Sequence, residues 1–124
     1  MKANETAYTL YQKARTAREA ENWEHATELF AQSAAVFPHF KTLELWGECL
    51  LHLDQTKEAV VPLAAATTLN HGVRAPALLA EAWFRLDEYA DAQAAAQIAL
   101  SRDPNNRQAK HVLAALAATE NGKS

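Results

Sequence analysis

The sequence predicts an all-α fold. Three observations support this prediction: a high alanine content, few β-branched aliphatic residues and a 33-residue repeat. Of its 124 residues, 28 are alanine, whereas valine and isoleucine together number six. Alanine has the highest helix propensity, and valine and isoleucine favour strands. With 3 glycines, the chain also has few of the turn residues that a sheet protein of this length would need. We therefore expect one helical domain spanning residues 1–124.

The repeat shows in the positions of the small residues. Three series keep the same 33-residue register: Ala26, Ala59 and Ala92; Ala14, Gly47 and Ala80; and Ser33, Ala66 and Ala99. Helices that cross closely need small residues where their backbones meet. The spacing therefore predicts three copies of one helix pair, over about residues 7–39, 40–72 and 73–106.

Polar turns and helix-breaking residues delimit the individual helices. The turns fall at Glu21-Asn22, Asp54-Gln55 and Asp87-Glu88, and the units end near Pro38, at His71-Gly72 and near Pro104. Between these breaks, apolar residues recur at three-to-four spacing, as at Ala7, Leu10, Ala14 and Ala17. The predicted helices span residues 5–20, 23–36, 40–53, 56–70, 74–86 and 89–101, with a seventh at about 107–119.

One proline disturbs this pattern. Pro62 lies about two turns inside the fourth predicted helix, where it removes a backbone donor and its ring crowds the carbonyl of Glu58. This costs on the order of 3 kcal/mol in an ordinary helix interior. We expect a kink at Pro62 or a late start of this helix.

The repeating residues resemble the tetratricopeptide repeat (TPR) family. The resemblance covers about residues 7–106 and is carried by Trp46-Gly47 in the second unit, Tyr89-Ala90-Asp91-Ala92 and Asp103-Pro104-Asn105-Asn106 in the third, and Trp23, Ala26 and Phe30 in the first. It implies three helix-turn-helix units stacked into a right-handed superhelix, an α-solenoid with a concave groove, and a seventh helix in the position of the family's capping helix.

The resemblance also implies which residues face the groove, because the first helix of each pair lines it in this family. The candidate partner-binding residues are Tyr8, Tyr11, Arg15, Arg18, Glu48, Phe84 and Arg85, with Glu19, Lys41, Glu44, Leu51, His52, Arg74, Ala77, Glu81 and Lys110 around them. By helical spacing one face is shared by Tyr8, Tyr11, Arg15 and Arg18. Tyrosine and arginine suit a peptide, since they offer contact area, stacking and hydrogen bonds to carboxylates. The alternative interpretation is a merely solvated polar face.

Some members of the family grip a C-terminal carboxylate with lysine, asparagine and arginine side chains. At the corresponding positions this sequence has Tyr11 and Arg15 in the first unit, and Ala77 and Glu81 in the third. We therefore do not expect a carboxylate clamp of that type.

The seventh helix is apolar on every side from Val112 to Ala118. A terminal repeat normally shows water a polar face, so Val112, Leu113 and Leu116 are candidates for an oligomer surface, through which the chain could form a homodimer. The alternative is an alanine-rich cap of weak amphipathicity. Residues 120–124 are expected to form a frayed tail.

Composition and motifs exclude several classes of function. A net charge of −3 argues against nucleic-acid binding, and the longest apolar run, residues 59–66, is too short to span a membrane. Cys49 is the single cysteine, so no internal disulfide can form. We find no catalytic motif, and the five histidines are scattered. We expect no enzyme activity, no metal, no cofactor and a cytoplasmic location.

The sequence thus predicts a protein-interaction module, an adaptor or scaffold that binds a partner peptide or segment in its groove. Two alternatives stay open: a secretion-type TPR chaperone that serves one client, and an oligomerisation or docking domain that works through its C-terminal helix. Reversing Arg15 and Arg18 to glutamate is expected to weaken partner capture without changing helicity.

Overall fold

The predicted all-α fold is confirmed by the computed structural model, which describes the backbone of residues 2–122 and the side chains of residues 2–119. This range contains seven helices: α1 (Ala3–Glu19), α2 (Trp23–Val36), α3 (Phe40–His52), α4 (Thr56–Leu69), α5 (Arg74–Arg85), α6 (Tyr89–Arg102) and α7 (Arg107–Gly122). Each of the first six begins and ends within two residues of its predicted bounds. The prediction for the tail was wrong over residues 120–122, where α7 continues. Residues 123 and 124 lie outside the described range.

The same turn closes the first helix of every pair. Glu21, Asp54 and Asp87 have positive φ angles of 59°, 61° and 61°, at intervals of 33 residues. The next amide reaches back across the turn each time, from Asn22 to the Ala17 carbonyl at 2.9 Å and from Gln55 to the Leu50 carbonyl at 2.8 Å. This hydrogen bond and the left-handed residue before it are those of a Schellman cap. The repeat in sequence is therefore a repeat of one turn geometry.

The helices stack in two rows. Helices α1 and α2, α3 and α4, and α5 and α6 pack as pairs, and α2 against α3 and α4 against α5 join one pair to the next. On the inner side α5 also contacts both α3 and α7. Gly47 lies at a close approach of α3 and α4, since a Cβ built there would lie 2.5 Å from Cγ of Leu63 on α4. Small residues at this position let the paired helices approach closely, as the repeat predicts.

Helix α4 runs through Pro62 without interruption from Thr56 to Leu69. Of the two expectations for Pro62, the late start was therefore wrong, and the kink stays a prediction. The Pro62 ring is fully buried, and the apolar surface that it removes from water opposes the cost of the missing donor.

Helix α7 caps the stack by packing against α5 and α6. Val112 and Leu116 are 2% and 8% exposed and belong to the largest core cluster, with Leu113 packed against it. The burial of Val112 and Leu116 leaves little of them for a second chain to contact, whereas Leu113 is partly exposed. That these three residues form an oligomer surface stays a prediction. The exposed positions between residues 107 and 119 are Arg107, Lys110, His111, Ala114, Ala117 and Ala118, which fits the alanine-rich cap. None of the helices within residues 2–122 has the length and hydropathy needed to cross a bilayer.

Candidate functional site

Five charged side chains on the inner helices form one ion-pair network. Arg18 on α1 donates to Glu48 on α3, from Nε to Oε2 at 2.8 Å and from Nη2 to Oε1 at 3.0 Å. Arg74 on α5 donates to the same carboxylate from Nη2 at 2.6 Å, and to Glu44 from Nη1 at 3.2 Å. Lys41 Nζ donates to Glu44 at 2.8 Å. We call these five residues the inner ion network.

The network links all three helix pairs, since its members lie on α1, α3 and α5. The carboxylate side chains are the most enclosed, with Glu44 7% and Glu48 13% exposed, whereas those of Lys41 and Arg74 are 42% and 39% exposed. Charge-assisted hydrogen bonds of bidentate geometry are among the stronger polar contacts in proteins. Three cations face two carboxylates, so the network carries one positive charge in excess.

This arrangement changes the role of two predicted site residues. Arg18 and Glu48 were expected to face a partner, but the structure brings them together as partners of each other. Their pairing limits the capacity of the Arg18 guanidinium to bind a carboxylate from outside. Both residues lie on the inner side as expected, and their observed contacts brace it.

Tyr8 and Tyr11 lie in a cleft at the other end of α1. The cleft has a volume of about 380 Å³ and lies between the first half of α1, the end of α2 and the start of α3. We call it the aromatic cleft, lined by Asn4, Ala7, Tyr8, Tyr11, Ser33, Phe37, His39, Phe40, Lys41 and Thr42. Tyr8 and Phe37 are 59% and 47% exposed. The lining therefore offers aromatic surface to a ligand.

The walls of the aromatic cleft are held by local contacts. The rings of Tyr8 and Tyr11 stack with centroids 6.3 Å apart, and those of His39 and Phe40 lie 4.7 Å apart. The buried Ser33 hydroxyl donates to the Ala7 carbonyl at 2.6 Å and ties α2 to α1. Offset aromatic pairs and a buried hydrogen bond both restrict side-chain motion. The aromatic cleft therefore has its shape before any ligand binds.

The other predicted residues occupy three different settings. Arg15 is exposed, with its guanidinium 5.9 Å from the centroid of the Tyr11 ring and a long 3.9 Å contact to Glu19. Arg85 pairs with Glu81 at 3.3 Å in a shallow depression between α3 and α5. Phe84 is half-buried, with its ring centroid 5.6 Å from that of Tyr89 on α6. Of these three, Arg15 has the most weakly held side chain.

Sequence reasoning missed Phe37, just after the end of α2, and Phe40, the first residue of α3. Both line the aromatic cleft. The family resemblance directs attention to the first helix of each pair, which leaves out Phe37, and Phe40 was not among the candidates although it begins such a helix. A signal was present, because the repeat places Asn70 and Val73 at the equivalent positions of the second unit. Comparison of the units position by position would have singled out both phenylalanines.

Cys49 is fully buried, and burial, followed by the charge of Glu48, raises the pKa of its thiol to about 11. A thiol that stays protonated and enclosed is a poor nucleophile. Among the described side chains, no three histidine, cysteine or acidic groups converge in a way that could hold a metal ion.

The sequence matches no protein-family model and no curated protein, so the comparison rests on solved structures. The chain is 18% identical to the first TPR of Spaghetti (RPAP3) bound to the HSP90 peptide SRMEEVD, with a TM-score of 0.87 over 94% of both chains. This chain has the TPR fold. The Arabidopsis OM64 TPR domain gives a TM-score of 0.87 at 19% identity, over 94% of this chain and 98% of that one.

A bacterial protein is also similar to this TPR chain. The Yersinia enterocolitica type III secretion chaperone SycD, in complex with a peptide of the translocator YopD, is 19% identical. The two align with a TM-score of 0.81 over 97% of this chain and 96% of that one. Such identities show the fold alone, and fold does not fix function.

Proposed function

We propose that this TPR chain is a protein–protein interaction module that binds an extended segment of a partner along its inner side. The observation that carries the proposal is that some inner side chains hold the helices together while others next to them stay exposed. The inner ion network braces α1, α3 and α5 against one another, while Tyr8, Arg15 and Phe37 stay exposed beside it. A braced surface loses little conformational entropy on binding, so more of the contact free energy appears as affinity.

The similar structures support the choice of ligand class. Two of the similar structures hold a bound peptide, from HSP90 in one and from YopD in the other. An extended segment is a reasonable ligand for a groove between helices. The contacts need not be those of a carboxylate clamp, since Ala77 and Glu81 stand where that clamp would need basic residues.

The proposal includes a non-catalytic role and a cytoplasmic location as an adaptor or scaffold. A protonated, buried Cys49 supports the first point, and a single cysteine suits a reducing compartment. The second candidate function is a chaperone for one secreted client, which is supported by the likeness to SycD.

Affinity capture with charge-reversed variants tests the binding surface. Arg15→Glu is the informative change, because Arg15 is exposed and weakly paired. Arg18→Glu is a less specific test of binding, because it would also disturb the inner ion network by placing a third carboxylate beside Glu44 and Glu48. The matched control is Lys57→Glu, which makes the same reversal at an exposed position on α4.

We expect Arg15→Glu to reduce capture of the partner from native lysate by about tenfold, and Lys57→Glu to leave it unchanged. Equal capture of the partner by the wild-type chain, Arg15→Glu and Lys57→Glu would contradict binding on the inner side. Mass spectrometry of the captured material separates the two candidates: one client at equal stoichiometry indicates the chaperone, and several partners indicate the adaptor.

A further inference from the structure

The aromatic cleft is a departure from the repeat. Its ring-bearing positions are occupied by other residue types in the later units: Tyr8 by Lys41 and Arg74, Tyr11 by Glu44 and Ala77, Phe37 by Asn70 and Asp103, and Phe40 by Val73 and Asn106. The fold is built in all three units, so it does not require aromatic residues there. The aromatic residues of the cleft therefore have a cause other than the stability of the fold.

The equivalent space in the second unit is bridged by polar contacts. Lys41 and Arg74 both reach Glu44 there, at 2.8 and 3.2 Å. Below them, Nη1 of Arg102 donates to the backbone carbonyl of Asn70 at 3.0 Å. In the first unit the same region is an open cleft with exposed Tyr8 and Phe37. The molecule therefore closes one inter-repeat space with its own charges and leaves the other free for an apolar group.

The charged side chain in the lining of the aromatic cleft is a cation. Among the residues that the structure describes, Lys41 is the one lysine, arginine, aspartate or glutamate that lines it, and its Nζ is paired with Glu44 at 2.8 Å. Arg15 adds a second, weakly paired cation beside Tyr11, and the inner ion network that includes Lys41 has an excess positive charge. An acidic ligand meets attraction here even though the whole chain is negative.

We propose that the aromatic cleft binds one bulky apolar side chain, aromatic or large aliphatic, from an acidic segment of the partner. The volume of about 380 Å³ lies at the lower end for ligand sites, which suits one side chain. Carboxylates next to that side chain meet Arg15, whose contact to Glu19 is long, whereas Lys41 is already paired with Glu44 and contributes through the excess positive charge of the inner ion network. The inference rests on the proposed function and names the anchor that the partner supplies.

A phage-displayed library of random twelve-residue peptides tests the anchor without knowledge of the partner. Selections run in parallel on the wild-type chain and on a Tyr8→Ala/Phe37→Ala variant. Both changes truncate exposed side chains, so the variant should fold. Circular dichroism of the variant checks this. A Val61→Ala/Leu69→Ala variant truncates two exposed apolar residues on α4 and is the matched control.

We expect wild type and control to enrich peptides in which an aromatic or large aliphatic residue lies within two positions of Asp or Glu, and the cleft variant to lose them. A synthetic consensus peptide should bind at least about tenfold more weakly when its apolar anchor becomes Ala. Replacement of its acidic residues with Lys should weaken binding as well, in a manner that high salt diminishes.

Three results would overturn the inference: no enrichment over the cleft variant, enrichment of basic motifs, or Tyr8-dependent dimerisation of the chain, which would make a second copy the occupant. These results leave the proposed function separately testable. Capture that depends on Arg15 but not on Tyr8 and Phe37 would retain the interaction module and remove only the anchor.

Discussion

Arg18 and Glu48 lie thirty positions apart on helices of different repeats and form a bidentate ion pair, with Nε–Oε2 and Nη2–Oε1 distances of 2.8 and 3.0 Å. The Arg18 side chain is 29% and the Glu48 side chain 13% exposed. Partial burial and two parallel hydrogen bonds distinguish this pair from ordinary surface pairs. We conclude that part of the stiffness of the inner side resides in this contact.

A double-mutant cycle measures that contribution. Arg18→Gln, Glu48→Gln and the double variant should give a coupling free energy of about 1–2 kcal/mol by urea unfolding at low salt. The coupling should shrink in about 1 M salt, where the Debye length falls to about 3 Å. A coupling below about 0.3 kcal/mol would mean that the pair does not brace the repeats.

Gly47→Ala should destabilise the chain, although alanine normally stabilises a helix interior relative to glycine by about 1 kcal/mol. The added Cβ would lie 2.5 Å from Cγ and Cδ2 of Leu63, which is fully buried. Overpacking of this kind costs about 1–3 kcal/mol in the free energy of unfolding. Thermal or urea unfolding of the purified variant provides the measurement.

The matched test for Gly47 is the double variant with Leu63→Ala. Removal of the Leu63 side chain costs about 2–5 kcal/mol alone, but it also frees the space that the new methyl needs. The double variant should therefore be more stable than the sum of the two single effects indicates. Strict additivity would mean that the clash with Leu63 is not the cause.

Glu21→Gly should stabilise the chain, because Glu21 has a φ angle of 59°. The left-handed region costs a non-glycine residue about 1–2 kcal/mol, partly offset by the entropy that glycine loses on folding. We expect a net gain of about 0.5–1 kcal/mol in the free energy of unfolding. Glu28→Gly, in the middle of α2, is the control and should lose about 1 kcal/mol. A loss at both positions would contradict the turn geometry.

Cys49 should react slowly with a thiol reagent such as DTNB in the folded chain at pH 8. Burial raises the pKa of the thiol to about 11, so both the thiolate fraction and access are low. Labelling should be at least about a hundredfold faster in urea. Equal rates in folded and unfolded chains would place Cys49 at the surface.

The same pKa shift predicts a pH dependence of stability. The folded pKa lies above the unfolded one, so the contribution of the protonated thiol is complete below about pH 8.5 and is lost as pH rises towards about 11. The free energy of unfolding should fall across this window by on the order of 2 kcal/mol more than in Cys49→Ala. Parallel pH profiles of the two proteins would contradict the shift.

The helices and turns could be predicted because their causes are local. The turn at Glu21, Asp54 and Asp87 recurs at the spacing of the small residues, and period and turn chemistry together place the helix ends. The candidate site was harder to predict because its contacts join residues that are far apart in the sequence. Nothing local says that Arg18 pairs with Glu48, or that Phe37 lines the same cleft as Tyr8. The burial of Val112 and Leu116 could not be predicted for the same reason, since their cover comes from α5 and α6.

Site-specific photo-crosslinking tests most directly whether the partner lies along the inner side. Benzoylphenylalanine replaces Glu81, which lies on α5 in the depression shared with Glu48, or Val61, which is 72% exposed on α4. The account predicts that the captured partner crosslinks efficiently to position 81 and not to position 61. Crosslinks confined to position 61 would place binding on the outer row and contradict the interaction module as proposed.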